Sequence, residues 1–155
     1  MHPVKDYVTE RLQRAKKAYI DDLEAMSDEQ IMNSPGGSAR KPVDITYEVI
    51  LVNKMITKRL KGEEPDAWPS EGWITAPEDF SNKEEIVKQF AASVDEVAAQ
   101  IESRSEDQML EPIETPNGPS SALKMGSFSA MHIAYHDGQL NYVQSLSGDM
   151  EMHWN

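Results

Sequence analysis

Cysteine is absent from the 155-residue chain. That removes disulfides, thiolate nucleophiles and cysteine-ligated zinc or iron–sulfur sites together, and it fits a reducing cytoplasm. No apolar run approaches the ~18 residues a membrane span needs, so no membrane partner is expected. Nothing behind Met1-His2-Pro3-Val4 reads as a secretory signal. Basic charge is scarce: 15 Lys and Arg stand against 27 Asp and Glu, a net charge of −12. Nucleic-acid binding is driven by phosphate neutralisation, and the densest basic cluster is Lys54, Lys58, Arg59 and Lys61 on one helix. A nucleic-acid partner is therefore not expected. Strict apolar–polar alternation is missing, which argues against strands. A glycine-rich phosphate loop and a serine nucleophile elbow are missing too.

What is present is helical periodicity in a chain the length of one domain, read here as residues 1–155. The first helix runs from about Val4 to Met26, with Val8, Leu12, Ala15, Tyr19 and Leu23 as its stripe. Ser27-Asp28-Glu29-Gln30 reads as a capping box opening one short turn that Pro35-Gly36-Gly37 ends. The second long helix begins after Pro42, with Asp44 as expected N-cap, and runs to Leu60 before Gly62; Ile45, Val49, Val52, Ile56 and Leu60 form its core stripe. A connection from Gly62 to Phe80 follows, carrying Pro65, Pro69, Pro77, Trp68 and Trp73. It is long where connections usually run about 4–6 residues, so it crosses the bundle or covers something. Ser81-x-x-Glu84 reads as the box opening the third helix, which ends near Ser103; the fourth spans about Leu123 to Leu146 and stops at Gly148. Four long helices with two proline-rich connections predict an all-α four-helix bundle.

One constellation carries chemistry. His132 and His136, four apart, lie a turn apart on one helix face, as two imidazoles offered to one metal do. Met125, Phe128, Gln139, Val143 and Leu146 fall within roughly 40° of His132, so both histidines are expected to point inward. Buried imidazoles must be coordinated or hydrogen-bonded. A divalent metal satisfies both in neutral form; the alternative is a hydrogen-bonded core pair, with Tyr47 or Tyr135 as partner. Glu48 lies on the shoulder of the second helix's stripe and is the candidate third ligand; the alternative is an ion pair with Arg59 or a lysine. Trp68 and Trp73 either cap the core or wall a ligand pocket. His2 and His153 are expected to be solvated, with His153 roughly 25 Å beyond His136 along a straight helix. Asp21-Asp22 and Glu63-Glu64 read as solvated faces and the nine methionines as core filler.

At Met131-His132-Ile133-Ala134-Tyr135-His136-Asp137-Gly138-Gln139-Leu140 the sequence resembles the DinB/YfiT-like family of metalloenzymes, whose signature has two histidines four apart followed by Gly-Gln. The family's third ligand is usually a histidine on the second helix, often followed five residues later by an asparagine. Here Glu48 holds that slot and Asn53 follows. The resemblance implies an up-down-down-up bundle with its long connection between the second and third helices. It also implies a homodimer, a divalent ion (Ni, Zn, Fe or Mn), and in some relatives thiol-dependent transferase chemistry with a low-molecular-weight thiol cosubstrate. A carboxylate in place of an imidazole makes the site harder and less positive.

The leading expectation is a metal-dependent transferase or hydrolase with Glu48, His132 and His136 as ligands, Asn53, Asp137 and Gln139 supporting them, and Tyr47 or Tyr135 as proton donor. The alternatives are a non-catalytic metal- or ligand-binding stress-response bundle and a metal-free structural bundle.

Overall fold

Apolar residues at every third or fourth position wind the chain into helices, and the computed structural model, which describes residues 3–69 and 71–154, shows five of them. They are α1 (Val4–Ala25), α2 (Asp28–Met32), α3 (Pro42–Lys61), α4 (Lys83–Glu102) and α5 (Ala122–Leu146), with a 3-10 turn at Asp107–Met109. Among the described residues there is no strand, only an antiparallel bridge between Ile113 and Ser120. None of these helices is long and apolar enough to cross a membrane.

Most helix ends lie where their sequence signals stand. Ser27 and Gln30 form the reciprocal capping box that opens α2, and Gly62 at φ 76° closes α3 in the left-handed conformation that favours glycine. Two caps differ from expectation. Lys41 is the N-cap of α3 and Pro42 fills the first turn, where its missing N–H costs nothing. That frees Asp44, whose Oδ1 accepts the Ala76 amide at 2.8 Å and pins the long connection onto α3. For α4 the cap is Asn82 rather than Ser81, its side chain accepting the Glu85 amide at 3.0 Å.

Cross-helix contacts fix the course of the chain. Lys5 Nζ reaches the Glu102 carbonyl while Lys83 Nζ reaches that of Glu24, so α1 and α4 run antiparallel. Tyr47 packs on Phe80 just before α4, and Arg104 just after α4 donates to the Leu60 carbonyl, so α3 and α4 run parallel. Glu48 meets His136 while Asn53 meets Ser129, so α5 opposes α3. The resulting course is up, down, down, up. Parallel neighbours α3 and α4 need a connection that returns along the bundle, which accounts for the length of residues 62–82.

The core stripes of α1 and α3 are buried as their spacing requires, except Ala15, which is partly buried at the edge of the core. Two expectations fail, and one of two alternatives is set aside. Asp22 is fully buried, hydrogen-bonded through Oδ2 to Asn141, whereas its neighbour Asp21 pairs with Lys17. Met131, Met150 and Met152 are exposed, so methionine is core filler only in part. The bulky residues of the long connection do not cap the core: Trp68 and Trp73 are exposed, while Ile74 and Phe80 are the side chains it buries. A tryptophan is bulky enough to plug a core, but Ile74 and Phe80 need no partner for a ring N–H.

Candidate metal centre

The centre forms where α5 crosses α3 in opposite direction. His132 and His136 project from successive turns of α5, and Glu48 faces them from the second turn of α3. The two imidazole Nε2 atoms are 3.1 Å apart. Glu48 Oε1 stands 3.6 Å from His136 Nε2 and 3.9 Å from His132 Nε2. A point equidistant from these three atoms lies about 2.1 Å from each, the bond length of zinc to imidazole nitrogen and carboxylate oxygen. The donor set therefore fits a divalent ion, and two nitrogens with one oxygen suit Zn, Ni, Fe or Mn.

Both imidazoles are neutral at physiological pH. Burial, followed by the neighbouring His136, pushes His132 down to about 4, and burial likewise lowers His136. Gln139 sits 2.7 Å from His136 Nδ1 through its amide oxygen, which makes Nδ1 the protonated nitrogen and turns the lone pair of Nε2 toward Glu48. Phe128 stacks on the His132 ring at 5.6 Å and the Tyr135 ring lies edge-on to His136 at 5.0 Å. His132 Nδ1 is buried without a hydrogen-bond partner among the described residues.

Glu48 also forms an ion pair, and with a residue that sequence reasoning missed. Its Oε2 lies 2.7 Å from Arg40 Nη2, in place of the expected Arg59 or lysine. Arg40 precedes α3, and no periodicity marks a residue in that position. Its Nη2 also donates to the carbonyls of Asp44 and Ile74, and the Trp73 ring lies over the guanidinium at 5.0 Å. One carboxylate thus turns one oxygen to the arginine and the other to the histidines, so the ion pair and the metal reading are compatible.

The expected supporting residues separate. Gln139 holds His136 as described. Asn53 instead ties the helices together, donating to Ser93 Oγ at 3.1 Å and accepting from Ser129 Oγ at 2.7 Å. Asp137 faces α1, where burial and the nearby Asp22 carboxylate push it up to about 8. Tyr47 packs on Phe80 at 5.2 Å. His153 is half-buried and bonded to Asp149 at 2.9 Å rather than solvated, and His2 lies outside the described residues. The expected apolar stripe of α5 is displaced: Phe128 and Leu146 are exposed, while Ile133, Leu140 and His136 face the core. Apolar residues stand on both the buried and the exposed faces of this helix, so its pattern alone cannot choose a face.

A family model described as the DinB superfamily matches residues 11–140. A solved structure, the crystal structure of the conserved protein of locus from Enterococcus faecalis, superposes with a TM-score of 0.75 at 15% identity, covering 96% of this chain and 100% of that one. At that identity the likeness is one of fold. No curated protein matches the sequence.

Proposed function

Because the chain belongs to the DinB superfamily, we propose that it is a divalent-metal-dependent enzyme, catalysing transfer or hydrolysis at a centre held by Glu48, His132 and His136. The observation that carries this reading is the donor triangle, whose equidistant point lies one coordination bond from each atom. Three protein ligands leave positions open. A bound divalent ion supplies Lewis acidity and lowers the pKa of a water or thiol. Gln139 fixes the tautomer of His136, and Arg40 holds Glu48 in the rotamer that turns Oε1 to the histidines. Tyr135, whose ring touches His136, is the better placed proton donor; Tyr47 is engaged with Phe80. A low-molecular-weight thiol as cosubstrate in the cytoplasm accords with an enzyme that has no cysteine of its own. The test is the rate at which zinc- or nickel-loaded protein conjugates a thiol to a chromogenic electrophile or hydrolyses an activated ester. Turnover that chelation abolishes supports the reading; equal rates with and without metal contradict it.

A second copy of the chain is the partner we propose. Phe128, Met131, Tyr135, Tyr142 and Leu146 form one exposed stripe along α5. Lys124 is the only exposed charged residue of that helix, on a chain of net charge −12. Two copies repel one another elsewhere, but not at this stripe. Its five residues are each 46% to 67% exposed, apolar surface of the kind that fills the centre of an interface of ~800 Å² per partner. Light scattering should give twice the 17.4 kDa chain mass, and Tyr142→Lys should give the monomer; a monomeric parent contradicts the proposal.

A further inference from the structure

Arg40 presents a deficit that its partners do not meet. The side chain is 13% exposed, and its Nη2 is committed to Glu48, Asp44 and Ile74. Nε and Nη1 are buried with no hydrogen-bond partner among the described residues. Buried guanidinium donors left unmade are costly, and the Trp73 face is a weak substitute for an oxygen. Trp73 itself gains little by lying there: it is 76% exposed on the connection between α3 and α4. Nε and Nη1 point to different edges of the guanidinium plane, so an anion that displaced the ring would satisfy one of these two unmet edges.

The neighbourhood narrows the class. Arg40 Nη2 lies 2.7 Å from Glu48, whose other oxygen stands 3.6 Å from His136 Nε2, so a ligand on Arg40 lies beside the candidate metal centre. The charge of Arg40 is already shared with Glu48. With Arg40 and Glu48 already in balance, a bound anion adds its whole charge beside Glu48, and one negative charge is repelled less than the two of a phosphate dianion, which favours a carboxylate.

We propose that Arg40 is the anion-recognition group of this site, and that it takes a small organic monocarboxylate which displaces Trp73 and lies beside Glu48, His132 and His136. This names the substrate class for the metal-dependent reading above and rests on that reading for the ligand's second contact. The contact with Arg40 is independent of it.

The test is calorimetric titration of the full chain with benzoate, its neutral isostere benzamide, and inorganic phosphate, before and after chelation. Tryptophan emission is followed in parallel, with Trp73→Phe as the silent control. Benzoate should bind saturably in both preparations and shift the emission, benzamide should not bind, and phosphate should bind more weakly. Arg40→Gln should weaken benzoate by about tenfold or more, as expected for loss of a charged hydrogen bond. Arg40→Lys keeps a charge for Glu48 but loses the planar donors; this variant, if folded by circular dichroism, should show a similar loss even where Arg40→Gln does not fold. Equal binding of benzoate and benzamide, tighter binding of phosphate, no benzoate binding at millimolar concentration, or unchanged affinity in folded Arg40→Lys would each overturn the proposal. Metal content, measured separately, judges the metal reading, so the two can fail apart.

Discussion

Glu48 and Arg40 are joined through Oε2 at 2.7 Å, and that pairing turns the other carboxylate oxygen to within 3.6 Å of His136 Nε2. Both side chains are largely buried, at 16% and 13% exposure. Removing the carboxylate therefore does two things. Glu48→Ala should abolish near-stoichiometric metal binding and, by leaving the guanidinium unpaired, lower the stability of the metal-free protein by about 1–3 kcal/mol. Urea denaturation with elemental analysis of the same samples reads both effects; full metal occupancy in the variant would remove Glu48 from the ligand set.

Gln139 acts through His136. Its amide oxygen sets which ring nitrogen carries the proton, so Gln139→Ala should weaken metal affinity by about 10–100-fold, the usual effect of removing a partner of a ligating histidine. Because Gln139 is half-exposed, the melting temperature of chelated protein should barely move. A competition titration against a chromogenic chelator separates these outcomes.

Asp137 sets a pH dependence. Its carboxyl is raised from 3.8 to about 8 by burial and by Asp22. The folded state therefore holds a proton that the unfolded chain has released, and this contribution is fully present below about pH 4 and lost as pH rises toward 8. Asp137→Asn should remove that slope: in chelated protein it should melt above the parent at pH 8 to 9, with the gap closing toward pH 4. A constant gap across that range would contradict the assignment.

Gly126 of α5 packs tightly against both α1 and α4. A Cβ there would lie 2.6 Å from Val8 Cγ1 and 3.2 Å from Ile101 Cδ1. Both are buried branched side chains with little freedom to move. Helix propensity favours alanine by about 1 kcal/mol, but overpacking costs about 1–3 kcal/mol, so Gly126→Ala should destabilise. A raised melting temperature would show that the helices separate easily.

Much of this was legible in the sequence because its signals are local. The stripes of α1 and α3, the Ser27 box and Gly62 are read within one or two turns, and two histidines four apart must share a helix face. What could not be read depends on where distant segments meet. Asp22 looks like half of a solvated acidic pair until Asn141 is brought against it. Asn53 sits in a helix like any polar residue, yet its partners are Ser93 and Ser129 on two other helices. Arg40 lies in a connection with no period and finds Glu48 and Trp73 only through the fold. In α5 the period itself misleads, since apolar residues line both its buried and its exposed faces.

The central claim, that Glu48, His132 and His136 hold a metal ion, is tested most directly by elemental analysis of protein purified without a histidine tag or chelator, beside His136→Ala. Near-stoichiometric Zn, Ni, Fe or Mn in the parent and its loss from the variant is the result expected. Absence of any divalent metal from the parent, even after reconstitution, would contradict the account and leave a bundle with two hydrogen-bonded core histidines.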